Sequence, residues 1–172
     1  YTMSDPKVVG DGRWYGGEPL WSVAERSGMI AASYFWVGSE AEIKGFRPSY
    51  WYPYSDLHNN QSRVVQIAKW LALPESERPH MITLYFSLVD SAGHKYGPDA
   101  KETADSVAEA DALIGALRAE LAASKLPVNL IVVSDHGMGY LDPAKTVSLD
   151  TLVDFKNFEV SGSGTFISLY PK

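Results

Sequence analysis

The sequence predicts an α/β fold with a mostly parallel central sheet flanked by helices. Two apolar runs, "HMITLYFSLVD" ending at Asp90 and "VNLIVVSDHG" ending at Gly137, are continuous rather than alternating, as strands buried on both faces are. Between them Val107, Ala110, Ile114, Leu117 and Leu121 recur at three- and four-residue steps, so an amphipathic helix opened by Pro98 and Asp99 joins the two runs. The order strand, helix, strand predicts a right-handed parallel crossover with both strands buried.

The other elements follow in chain order. A Gly-Gly turn precedes Glu18 and Pro19, residues suited to a helix start, and the amphipathic stretch after them runs through Arg26 and stops at Gly28. Met29 to Val37 is apolar and aromatic and reads as a buried strand. Ile43 to Asn60, with Gly45, Pro48, Pro53 and five aromatics, reads as a long structured loop of the kind that often carries function. Val64, Ile67, Ala68 and Leu71 keep the helical period and stop before Pro74. At the C-terminal end, "TVSLDTLVDF" and "SGSGTFISLYP" predict a shorter strand, an apolar segment and a final strand.

Composition narrows the function classes. With 172 residues, 45% of them hydrophobic and 21% charged, the chain suits a single domain over 1–172 with a real core. Its net charge of −6, with no block of lysine or arginine, argues against binding to a nucleic-acid polymer. The absence of cysteine removes disulfides, thiolate metal sites and a thiol nucleophile together. No apolar run reaches the roughly 20 residues of a membrane span. The chain opens on Tyr1 and reads as cut or processed at its start.

In an open parallel sheet, ligands gather beyond the carboxyl ends of the strands. Asp90 closes the first predicted strand, with His94 four residues on, and Asp135 and His136 close the second. Carboxylate oxygens and imidazole nitrogens are ordinary ligands for zinc and other divalent metals. Taken alone, Asp90 and His94 read equally as a helix-capping acid beside a solvated histidine. The arrival of Asp135 and His136 at the same sheet edge favours the metal reading, with glycines after them that permit close backbone approach.

The same residues carry a resemblance. Asp90-Ser91-Ala92-Gly93-His94, Gly97-Pro98 and Ser134-Asp135-His136-Gly137-Met138 resemble the nucleotide pyrophosphatase/phosphodiesterase family of the alkaline phosphatase superfamily. Further matches lie upstream, in order, in "WYGGEPLW", "WVGSE" and "RPSYWYPYSD". The resemblance implies an alkaline-phosphatase-like fold, incomplete here because the N-terminal and C-terminal parts of the catalytic domain are absent. It implies two zinc ions per complete active site, Asp90 and His94 on one, Asp135 and His136 on the other. It implies hydrolysis of phosphodiester or pyrophosphate bonds of nucleotides and related diesters. The attacking threonine or serine hydroxyl is expected ahead of Trp14, outside this chain, so these residues alone are expected to be inactive. Tyr85, five residues before Asp90, resembles a residue lining the nucleoside pocket, and Tyr54 one that stacks on the base. Read without the family, Tyr85 suits a strand core and Tyr54 suits loop packing. The location implied is periplasmic or secreted. Many relatives carry Glu-Pro ahead of the first aspartate where this chain has Leu88-Val89, so the resemblance does not fix the subfamily or the substrate.

Two other readings remain open on the residues. One is a phosphomonoesterase or phosphonate hydrolase of the same superfamily, and the other a noncatalytic metal-binding α/β module. Among lesser candidates, His58 reads as a solvated loop histidine near Tyr54, and His80, at the amino end of its strand, as structural. Asn60-Gln61-Ser62 matches the glycosylation acceptor pattern. Trp14, Trp21 and Trp36 read as packing residues, and Glu18 as support for a helix start.

Overall fold

The computed structural model, described over residues 5–55, 59–162 and 167–172, begins with a one-turn helix α1 (Pro6–Val9), a 3-10 turn and helix α2 (Leu20–Arg26). Strands β1 (Ala31–Tyr34) and β2 (Tyr50–Tyr52), helix α3 (Asn60–Leu71), strand β3 (Met81–Leu84) and helices α4 (Leu88–Tyr96) and α5 (Lys101–Ser124) follow. The three strands form one parallel sheet in the order β2, β1, β3. Residues 5–139 belong to one compact unit and residues 140–172 to another. The second contains three 3-10 turns and an antiparallel hairpin of β4 (Phe158–Ser161) and β5 (Ser168–Pro171).

Side-chain alternation along β1 assigns its two faces. Ala32 and Tyr34 join Val64, Ile67, Trp70 and Leu71 of α3 and Leu113 and Leu117 of α5 in the larger core. Ala31 turns the other way, to Trp21 and Ala24 of α2 with Ala41 and Ile43. Each buried large apolar side chain contributes roughly 1.5–3 kcal/mol relative to exposure, so the α3 stripe alone accounts for that helix's docking.

Local signals set the helix ends. The Asn59 side chain accepts from the Ser62 N–H at 2.7 Å, capping α3, and Pro74 disfavours its continuation. Helix α4 stops at Gly97, whose φ of 94° and ψ of 156° lie in a region open essentially to glycine. The Gly97 carbonyl accepts from the Thr103 hydroxyl at 2.7 Å, which ties the turn to α5.

Glu25 joins three elements. Its Oε1 accepts from the Ala31 N–H and from the Ser49 N–H, both at 2.8 Å, and its Oε2 accepts from the Ser49 hydroxyl at 3.1 Å. The end of α2 is thereby tied to the starts of β1 and β2.

Several sequence expectations are corrected. The run ending at Asp90 is strand only through Leu84, and Asp90 lies in the first turn of α4. The helix expected from Pro98 and Asp99 starts at Lys101. Residues 128–134 have no strand pairing among the described residues and are exposed, Ile131 by 80%. A strand is defined by its ladder partner: β3 is bonded to β1, and no described segment pairs with 128–134. The loop expected over 43–60 contains β2, and in "TVSLDTLVDF" residues 146–148 are irregular and Leu149–Thr151 form a 3-10 turn, with no strand. Trp14, expected in packing, is 54% exposed, whereas Trp21 is buried. Glu18 pairs with Arg26 along α2, and His80 donates its N–H to the Ile30 carbonyl at the amino end of β3.

Glu25→Ala strands the N–H of Ala31, a fully buried residue. Urea unfolding is expected to register a loss of about 1–3 kcal/mol, the cost of an unsatisfied buried donor. Glu25→Gln keeps an acceptor oxygen and is expected to lose less; equal losses would mean that the carboxamide oxygen does not replace these bonds.

Candidate active site

The parallel register brings the site residues to one edge. Tyr34 is level with Tyr52 and with Leu84, so the residues that follow each strand leave the sheet from the same height. Those residues are Phe35, the segment leading to Tyr54, and Tyr85. Tyr54 is 40% exposed and Tyr85 is half-buried. Their ring centroids lie 6.5 Å apart, and Phe35 packs against both, at 4.8 Å from Tyr54 and 5.5 Å from Tyr85.

Helix α4 carries the first acid and histidine. Asp90 and His94 are one turn apart on the same face, with His94 Nε2 3.4 Å from Asp90 Oδ1. The loop at 135–138 lies beside them, with the Met138 side chain against Gly93. A Cβ at Gly93 would stand 2.5 Å from Met138 Sδ, so a larger residue there would oblige the Met138 side chain to shift. His136 Nε2 then lies 3.9 Å from Asp90 Oδ1 and 3.6 Å from Asp135 Oδ2. His136 Nδ1 is 2.9 Å from the Gly137 carbonyl. A carbonyl can only accept, so Nδ1 carries the proton and donates to it, and Nε2 is the nitrogen that faces the acids.

All four acid and histidine residues predicted from the sequence therefore meet in space. Asp90 Oδ1 is shielded from solvent and has no hydrogen-bond partner among the described residues, since both imidazoles are too distant or poorly aligned to serve. A buried carboxylate oxygen without a donor is costly unless a cation meets it. The donor set, two carboxylates and two imidazoles with Nε2 turned inward, fits divalent cations of the zinc type. The residues fit as two pairs; among the described residues no three side chains are arranged to hold one ion.

Electrostatics follow from this crowding. Burial pushes the Tyr85 phenol up, the charges of Asp135 and Asp90 and the neighbouring Tyr54 add to this, and Arg63 opposes it. The Tyr85 hydroxyl thus stays protonated at neutral pH. The His136 imidazole is raised above its ordinary value, first by its hydrogen bond to Gly137, then by Asp135, with a smaller push from Asp90.

Three residues of this edge were not singled out in the sequence. Arg63, 3% exposed on α3, donates to the Tyr85 carbonyl at 2.6 Å and the Ser55 carbonyl at 3.2 Å. Glu40 Oε1 accepts from the Tyr54 N–H at 2.8 Å, and Phe35 has a φ of 52°. Arg63 alone left a sequence signal, a charge on the apolar face that Val64, Ile67 and Leu71 define. His58 lies outside the described residues.

The type I phosphodiesterase / nucleotide pyrophosphatase family model matches residues 1–172. The chain belongs to this family. Among members of the type I phosphodiesterase family it is 38% identical over 150 residues to ectonucleotide pyrophosphatase/phosphodiesterase family member 1 of Homo sapiens, covering 86% of this chain and 16% of that protein. It is 39% identical over 147 residues to venom phosphodiesterase 2 of Crotalus adamanteus, covering 84% of this chain and 17% of the venom protein. The solved structure of murine ectonucleotide pyrophosphatase/phosphodiesterase 5 superposes with a TM-score of 0.84 at 27% identity, over 95% of this chain and 44% of that one. An inactive form of that murine protein has been solved in complex with AMP, with the same coverage and TM-score. The chain thus spans about a sixth of the curated relatives' length and under half of the solved chains. Among the described residues no helix is long and apolar enough to cross a membrane.

In the metal-free protein, the Cε1 proton resonance of His136 is expected to titrate above the ordinary imidazole range, and Asp135→Asn to lower that midpoint. The sign follows from the raised value: the stabilisation is complete below the unfolded-state pKa and is lost as pH rises through the folded one. A midpoint unmoved by Asp135→Asn would remove Asp135 as a cause.

Proposed function

We propose that the full-length protein hydrolyses phosphodiester and pyrophosphate bonds of nucleotides and related small diesters, as a zinc-dependent enzyme acting in the periplasm or outside the cell. The observation that carries this reading is the meeting of Asp90, His94, Asp135 and His136 beside the Tyr54 and Tyr85 rings. Asp90 and His94 would hold one zinc ion, Asp135 and His136 the other. The chemistry these cations supply when bound is Lewis-acid neutralisation of the charge that develops on the phosphoryl oxygens. Without them, the carboxylates of Asp90 and Asp135 would repel an anionic diester, so the acids make sense only as cation holders.

The remaining roles fall to this chain's own groups. The exposed face of Tyr54 offers a stacking surface for a base, worth roughly 1–3 kcal/mol, and accepts any base because every base has a π-face. The protonated Tyr85 hydroxyl, its ring 6.5 Å from that of Tyr54, would be the donor on the nucleoside side. The Gly137 carbonyl holds His136 in the tautomer whose Nε2 is a ligand. The attacking hydroxyl is assigned to a segment outside these 172 residues. The relatives named for venom and for ecto-enzymes support the extracytoplasmic location.

The test is hydrolysis of the 4-nitrophenyl ester of thymidine 5′-monophosphate by the full-length protein, after chelation and after return of zinc. Activity is expected to require zinc, and Asp135→Ala to lower kcat/KM by at least about a hundredfold, since metal-ion stabilisation of such charge is worth several kcal/mol. Full activity in chelator, or an Asp135→Ala protein as active as the original, would overturn the reading.

A further inference from the structure

We infer that Arg63 is a positioning residue for nucleoside recognition: its guanidinium fixes the gap between Tyr54 and Tyr85. This inference rests on the nucleotide-hydrolase reading above. Arg63 leaves α3 on the buried side of the helix, where a charge is out of place. Among the described residues no carboxylate is ion-paired with it, and its Nε has no hydrogen-bond partner. Its guanidinium carbon also lies 5.9 Å over the Tyr34 ring, yet a cation buried against a ring and carbonyls with no described carboxylate beside it costs stability, and its benefit lies in what those carbonyls carry.

They carry the two tyrosines. One terminal nitrogen donates to the carbonyl of Tyr85 itself, and the other to the carbonyl of Ser55, the residue after Tyr54. The Glu40 carboxylate holds the Tyr54 N–H, so the Tyr54 peptide is anchored on both sides. A single planar fork thus sets the separation of two segments that no strand pairing joins, because β1 lies between β2 and β3. Phe35 fills the space between the rings, and its left-handed backbone, sparsely populated for a residue with a side chain, is held there by the same surroundings. Lysine cannot reproduce this geometry, since an ammonium is a point donor without the fork.

The role predicts a loss of nucleoside discrimination rather than of chemistry. Two substrates separate these: the nitrophenyl ester of thymidine monophosphate, which has a nucleoside, and bis(4-nitrophenyl) phosphate, which has none. In the zinc-loaded full-length protein, Arg63→Lys is expected to lower the ratio of kcat/KM between the two by about tenfold, the size of one weakened base-stacking contact. The loss should appear in the KM of the nucleoside ester, with its kcat largely kept. Arg63→Met, which keeps the stem and removes all donors, should lower the ratio at least as far; if it fails to fold, the lysine variant decides. A ratio unchanged in Arg63→Lys, with both substrates falling in step, would make Arg63 a structural residue only and overturn the inference. Should the unsubstituted protein hydrolyse neither substrate, the hydrolase reading fails, and equilibrium binding of thymidine 5′-monophosphate decides this one. Binding weakened about tenfold by Arg63→Lys supports it, and equal or absent binding in both proteins overturns it.

Discussion

The structure depends on the hydrogen bonding of β1 to a parallel neighbour on each side. Parallel pairing leaves no choice about where strand ends go: all three carboxyl ends face one edge, and the register puts Tyr52, Tyr34 and Leu84 at one level. Phe35, Tyr54 and Tyr85 are therefore neighbours although they lie far apart in sequence. An antiparallel β3 would have sent Tyr85 to the opposite edge. The small residues of β1 serve the same end, since Ala31, Ala32 and Ser33 are fully or almost fully buried and leave room for helices on both faces.

A second constraint is the close approach of the 135–138 loop to α4. The i,i+4 spacing of Asp90 and His94 makes one helix face acidic and basic at once, but a helix alone gives only a surface pair of small energetic worth. The Met138 side chain packs against the open face of Gly93, and Asp135 and His136, just before it, stand beside the pair. Two exposed acid-histidine pairs then become one cluster centred on Asp90 Oδ1. Within it the Gly137 carbonyl first, and then the acids, raise the proton affinity of His136, while Tyr85, half-buried beside them, keeps its proton.

How much of this was legible in the sequence depended on whether the signal was local. The α3 and α5 stripes were readable because a helix repeats its buried face every three or four residues, and β1 was readable as a short apolar run. The strand β2 was hidden because three residues among aromatics, prolines and glycines show no period. Asp90 was misplaced onto a strand because Leu88 and Val89 continue the apolar run of β3 into the first turn of α4, where composition is blind to the change of backbone. The run at 128–134 has every strand propensity and still lacks a ladder among the described residues, since propensity cannot supply a neighbour. The four acid and histidine residues were legible as motifs, whereas Phe35 and Glu40 act through contacts 14 to 50 residues away in sequence and left no local trace.

Those long-range contacts share a property that bears on the function. A stable fold is built by agreement between local preference and global structure, and departures from agreement concentrate where something other than stability is served. Three departures occur in this compact unit at the same edge: a phenylalanine with positive φ, an arginine buried without a described carboxylate, and a carboxylate oxygen shielded from solvent without a donor. Each costs stability where it stands. The first two lie where the tyrosine pair is held, and a cation at Asp90, as proposed, would resolve the third. On the proposed reading, a nucleotide, flat at its base and anionic at its phosphate, would need aromatic faces on one side and cation-held positive charge on the other, and both kinds of departure stand side by side at this edge.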